Sequence, residues 1–69
     1  MELTDAIKLT ADDTRENTDP NFSNRDAVIC IRDGMDHDDL SVVDDEELRE
    51  AYVMVMEADE DDLVAALDS

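Results

Sequence analysis

Ser23-Asn24-Arg25-Asp26-Ala27-Val28-Ile29-Cys30-Ile31-Arg32-Asp33-Gly34 is the stretch on which the fold turns. Ser23, with Asp26 three residues on, offers a helix N-cap, and Gly34 suits the C′ position just past a helix end. These signals favour a helix over 23–34. Between them, Ala27-Val28-Ile29-Cys30-Ile31 is a continuous apolar run rich in β-branched residues, which also suits a buried strand. Tyr52-Val53-Met54-Val55-Met56 can be read the same way. The caps decide for helix, so the expected fold is all-α, a small domain of three to four helices over residues 1–69. The alternative is a small α+β fold with a hairpin made from 27–32 and 52–56.

Working outward, the next segment is the clearest helix. Asp44 with Glu47 fits a capping box. Leu48, Ala51, Tyr52, Val55 and Met56 then fall at i, i+3, i+4, i+7 and i+8, one apolar face. The acids Asp45, Glu46 and Glu47 occupy its first turn, where the helix dipole favours negative charge. Val53 and Met54 widen the apolar surface, so this helix is either central to the fold or shared with a second subunit. Asp59 can cap a last helix over 60–67 with Leu63, Ala66 and Leu67 facing inward. A first helix is expected from Thr4 as N-cap to about Asp12, with Leu3, Ala6, Ile7 and Thr10 on one side. From 13 to 21 the Thr, Asn, Asp and Pro20 content reads as loop. Asp36 to Asp39 reads as an acidic loop, with Leu40, Val42 and Val43 tucked in after it.

A chain of 69 residues makes one domain at most. At this size roughly 60% of the unfolded chain's surface is buried, so stability is thin and a staple or partner is often needed. The single cysteine, Cys30, cannot form an internal disulfide. It is expected to be a buried apolar filler in a reducing, intracellular (cytoplasmic) setting. The start Met1-Glu2-Leu3-Thr4-Asp5 has neither the basic opening nor the apolar run of a signal peptide, and no stretch is apolar enough to span a membrane.

Charge dominates the composition. Fifteen Asp and seven Glu face four Arg and one Lys, a net of −17. Residues 1–32 hold seven acids and four bases (−3), whereas 33–69 hold fifteen acids and only Arg49 (−14). Such imbalance keeps a chain soluble, strains its compact state by self-repulsion and favours salt, divalent cations or a basic partner.

Catalytic chemistry finds little to work with. His37, the sole histidine, lies among acids with no plausible serine or cysteine nucleophile near it in sequence, and Cys30 sits in an apolar run that disfavours a thiolate. The chain is therefore expected not to be an enzyme and to need no cofactor. Asp33, Asp36, Asp38 and Asp39 around Gly34, and Asp59, Asp61 and Asp62, are acidic clusters, but neither has the alternating spacing and distal Glu of a calcium loop. One His and one Cys do not make a zinc site. No metal is expected.

Glu46-Glu47-Leu48 followed by Ala51 and Tyr52 resembles the ubiquitin-interacting motif, a single amphipathic helix with an acidic lead and a central Ala. The resemblance covers about ten residues and lacks the Ser that the motif places near Val55. In size and charge, though in no motif, the chain is similar to the small acidic phage proteins that block restriction enzymes or CRISPR effectors. What that likeness implies is an inhibitor of anti-restriction or anti-CRISPR type, of viral or prokaryotic origin. The physical basis is polyanion mimicry. Duplex DNA carries one charge per roughly 1.7 Å, so 17 charges match about 29 Å of duplex. The expected contact residues, toward the basic site of a nucleic-acid-binding protein, are Asp36, Asp38, Asp39, Asp44, Asp45, Glu46, Glu57, Asp59, Glu60, Asp61 and Asp62. The chain itself is not expected to bind nucleic acid or membrane. The competing expectation is a halophile-adapted small protein acting as a dimeric adaptor, with Tyr52, Val53 and Met56 as the shared surface.

Overall fold

A computed structural model describes residues 1–68, apart from the side chain of His37. The expectations placed on that side chain and on Ser69 lie outside the described residues. The elements run α1 (Leu3–Asn17), α2 (Asn24–Gly34), a 3₁₀ segment (His37–Val42), α3 (Glu46–Glu57) and α4 (Glu60–Asp68). There is no strand among the described residues, so the hairpin alternative is corrected and the all-α expectation stands. The molecule measures 30 × 24 × 19 Å along its principal axes.

Helix α1 is the centre, packed against α2, α3 and α4. It is longer than the sequence suggested. The loop-like composition of 13–21 predicts an end near Asp12, yet it continues to Asn17, and its N-cap is Glu2, without a side-chain capping bond, in place of Thr4. The reason lies in its inner face. Ile7, Thr10, Ala11 and Thr14 are all buried, at the i, i+3, i+4 and i+7 spacing of one helical stripe. Two of these are threonines, which mask the periodicity. Thr10 is admitted because its hydroxyl donates to the carbonyls of Ala6 (2.8 Å) and Ile7 (3.2 Å). Small residues let the helices approach closely. Ala6 and Ala11 on α1, Ala27 on α2 and Ala51 on α3 are each fully buried.

Helix α2 starts as expected, with the Ser23 hydroxyl accepting from the Asp26 N–H at 3.1 Å. Its end differs. Gly34 is the last helical residue and does not have positive φ, and the chain leaves in extended conformation at Met35 (φ −108°, ψ 128°). The outgoing Met35 packs against the core, so an extended exit replaces a left-handed cap. Ala27, Val28 and Ile31 face inward, at i, i+1 and i+4. With about 100° per residue, that phase turns Ile29 and Cys30 away from the core. Cys30 is exposed, which corrects its assignment as an apolar filler.

The acidic segment 36–39 folds as the start of the 3₁₀ segment, closed by a capping box in which the Asp36 N–H donates to Asp39 Oδ2 at 2.9 Å. Leu40 tucks in as expected and Val43 partly so, whereas Val42 is 77% exposed. Helix α3 is capped one residue later than read. Asp45, extended at φ −82° and ψ 116°, accepts from the N–H groups of Glu47 (3.0 Å) and Leu48 (3.3 Å). Asp44 lies outside the helix, and just before it the Val43 carbonyl accepts from Arg49 (2.6 Å). Ala51, Tyr52 and Val55 are buried, with Leu48, Val53, Met54 and Met56 packed around them. In α4, Leu63 is buried, and Ala66 and Leu67 pack partly against the core.

Arg15, Arg32 and Arg49 each donate to backbone carbonyls, and of these only Arg15 also pairs with an acid among the described residues. Arg32, in the last turn of α2, donates to the carbonyls of Val55 (2.8 Å), Met56 (3.3 Å) and Ala58 (2.7 Å), where α3 ends. The Val55 and Met56 carbonyls belong to the last turn of α3, where carbonyls lack partners within the helix and carry the negative end of its dipole, and Ala58 is the C-cap just beyond. Arg32→Met keeps the apolar stem and removes the fork. It is expected to cost about 1–2 kcal/mol, a fall of several degrees in thermal midpoint for a domain this small, read by thermal circular dichroism.

Candidate functional site

The eleven acids expected to meet a partner are all exposed. They do not form one cluster. Asp36, Asp38, Asp39, Asp44, Asp45 and Glu46 lie on the 3₁₀ segment and the start of α3, whereas Glu57, Asp59, Glu60, Asp61 and Asp62 lie where α3 ends and α4 begins. From Asp45 to Glu57 is twelve residues, so the rise of helix α3 separates the two groups by roughly 18 Å.

Their roles differ as well. Asp45 caps α3, and Asp36 and Asp39 close the 3₁₀ segment. These three have local work that does not require a partner. Glu46, Glu60, Asp61 and Asp62 sit in first turns, where the dipole favours them. Among the described residues the carboxylates of Asp38 and Asp44 have no hydrogen-bond or ion-pair partner.

Three acids absent from the sequence expectation belong to the first group. Asp12, Asp13 and Glu16 of α1 line the same groove, about 250 Å³, as Asp45 and Glu47 of α3. The missed signal was the length of α1. Once Thr10 and Thr14 are counted as core positions, the helix continues past Asp12 and carries these acids to the start of α3. Negative charge near a helix C-terminus opposes the dipole. Asp12 is compensated by an ion pair with Arg15, the only ion pair among the described residues. Glu16 has no such compensation.

Asp13 accepts a hydrogen bond from the Tyr52 hydroxyl, which ties α1 to α3 across 39 residues of sequence. Tyr52 is 3% exposed. Burial, reinforced by the bond to Asp13, pushes its phenol up to about 12.

Next to these acids a cleft of about 590 Å³ opens among the C-terminal ends of α1 and α2, the 3₁₀ segment and the start of α3. Its walls include Ile31, Met35, Val42, Val43, Leu48 and Tyr52. Asp13, Asp39, Asp44 and Asp45 also line it.

Among the described residues, no three His, Cys, Asp or Glu side chains gather as a metal site, including both acidic clusters singled out in the sequence. No described helix is long and apolar enough to cross a membrane. Ala51, the central Ala of the likeness to a ubiquitin-interacting helix, is fully buried in the core, so α3 is not a free-standing recognition helix. Tyr52 is likewise buried, and Val53 and Met56 pack partly against the core.

No family model, curated protein or solved structure matches this chain.

Proposed function

We propose that this protein is a non-catalytic acidic binding protein that occupies the positively charged site of a nucleic-acid-binding protein. The observation that carries the reading is the uneven placement of charge on the folded surface. Helix α2 bears two acids (Asp26, Asp33) and two bases (Arg25, Arg32), all exposed, and is neutral overall. Residues 36–62 bear thirteen acids and one base, a net of −12. The long axis of 30 Å also suits the roughly 29 Å of duplex that 17 charges represent. Such a surface speeds association with a basic groove and loses affinity as salt rises. An inhibitor of anti-restriction or anti-CRISPR type is one protein of this description.

The test is capture from the native host, or from infected cells, at about 50 mM salt, followed by challenge with duplex DNA. The expected result is a nucleic-acid-binding protein that duplex DNA displaces. Captured proteins that do not bind nucleic acid, or that duplex DNA leaves in place, would sink the reading.

The competing reading is adaptation to a salt-saturated cytoplasm, which the excess of Asp over Glu and of Arg over Lys favours. Salt adaptation should coat every face, and the neutrality of α2 speaks against it. Circular dichroism separates the two. The protein is expected to be helical already at about 0.1 M salt, and a fold that forms only near molar salt would favour adaptation.

A further inference from the structure

The cleft beside the acids is built for more than charge. Its walls are aliphatic and aromatic (Ile31, Met35, Val42, Val43, Leu48 and Tyr52), and no Lys or Arg lines it. Val42 stands 77% exposed, an apolar residue left in water. Apolar walls favour an apolar side chain. The four carboxylates of Asp13, Asp39, Asp44 and Asp45 set a negative field, which low-dielectric walls concentrate. That field repels an anionic occupant and gives a cationic one an attraction that a neutral one lacks. It also disfavours a second copy of this chain, which would bring a further −17.

We infer that this cleft takes a segment of a partner protein that presents one or two apolar side chains flanked by Lys or Arg, a cationic amphipathic segment. The apolar anchor enters the cleft and the basic residues meet the four carboxylates. The inference rests on the reading that the partner is basic, though not on the partner's binding nucleic acid. It adds a source of specificity that polyanion mimicry lacks, since pure charge display cannot separate one basic protein from another.

Three twelve-residue peptides on this full chain test it. The first is an amphipathic helix former with Leu at i, i+3, i+4 and i+7 and Lys elsewhere. The second replaces the Leu residues by Ser and keeps the charge. The third keeps Leu and replaces Lys by Gln. Affinity is read by fluorescence anisotropy, and occupancy by the rate of alkylation of Cys30, the only thiol, which lines the cleft and is exposed. The first peptide is expected to bind at least tenfold more tightly than either of the others and to slow alkylation of Cys30 at least threefold. Val42→Ser, at an exposed position that leaves the core intact, is expected to weaken the first peptide severalfold and the second not at all.

Equal binding of the two cationic peptides overturns the cleft and leaves the basic-partner reading standing. Failure of both overturns the two together. Equal binding of the neutral peptide, or unslowed alkylation at saturation, overturns the cleft. So does protection of Cys30 that grows with the protein's own concentration alongside dimers in sedimentation, which assigns the cleft to a second copy.

Discussion

Reversing Glu16, Asp38 and Asp44 to lysine together is expected to leave the fold intact and to weaken partner binding on the order of a hundredfold. Among the described residues none of the three carboxylates has a hydrogen-bond or ion-pair partner, so no contact described above is lost. Glu16 lies in the last turn of α1, where lysine complements the dipole and is worth about 0.3–1 kcal/mol. Each reversal adds two charges, so the net goes from −17 to −11 and self-repulsion falls. The thermal midpoint should hold or rise. Binding moves the other way. Turning an attraction into a repulsion at about 1 kcal/mol each gives roughly 3 kcal/mol, about two decades in affinity, most of it in the association rate. The control is the triple reversal of Asp36, Asp39 and Asp45, which removes caps worth about 1 kcal/mol each and should lower the midpoint before any partner is added. Full-strength binding by the first variant, with an unchanged association rate, would count decisively against charge display by this patch.

The contrast between the two triples shows what a sequence carries and what it hides. The start of α2 was readable because Ser23 offers a cap, but its inward phase was not, since the unbroken apolar run 27–31 carries no period that separates Ala27, Val28 and Ile31 from the outward Ile29 and Cys30. The core of α3 was readable, since Leu48, Ala51, Tyr52 and Val55 are apolar and regularly spaced. The extent of α1 was hidden because two of its buried positions are Thr10 and Thr14, polar by type and core by role. A threonine whose hydroxyl returns to its own helix enters a core at little cost, and no residue scale records that. From that one miss came the larger one. With 13–21 read as loop, Asp12, Asp13 and Glu16 counted as a mild first half. In space they stand beside the second half's acids, so the division of −3 against −14 along the chain is not the division on the surface. The surviving division is between neutral α2 and the rest.

Tyr52 supplies the second large effect, an alkaline transition. Its phenol, ordinarily near 10, is raised to about 12 in the fold, first by burial and then by the bond to Asp13. The sign follows from proton counting. Below pH 10 both folded and unfolded chains hold the proton, and the full contribution is present. Between pH 10 and 12 the unfolded chain has released it while the folded chain retains it, so stability falls as pH rises. Two pH units correspond to roughly 2–3 kcal/mol, a large share of the roughly 3–10 kcal/mol expected for 69 residues. Urea unfolding followed by circular dichroism should show the midpoint falling steeply across that window. Tyr52→Phe keeps the buried ring, gives up about 1 kcal/mol at neutral pH and should flatten the slope. Because Tyr52 is the only tyrosine, absorbance at 295 nm reports its ionisation alone. Ionisation near pH 10 in the folded protein, or identical slopes for the two chains, would overturn the account.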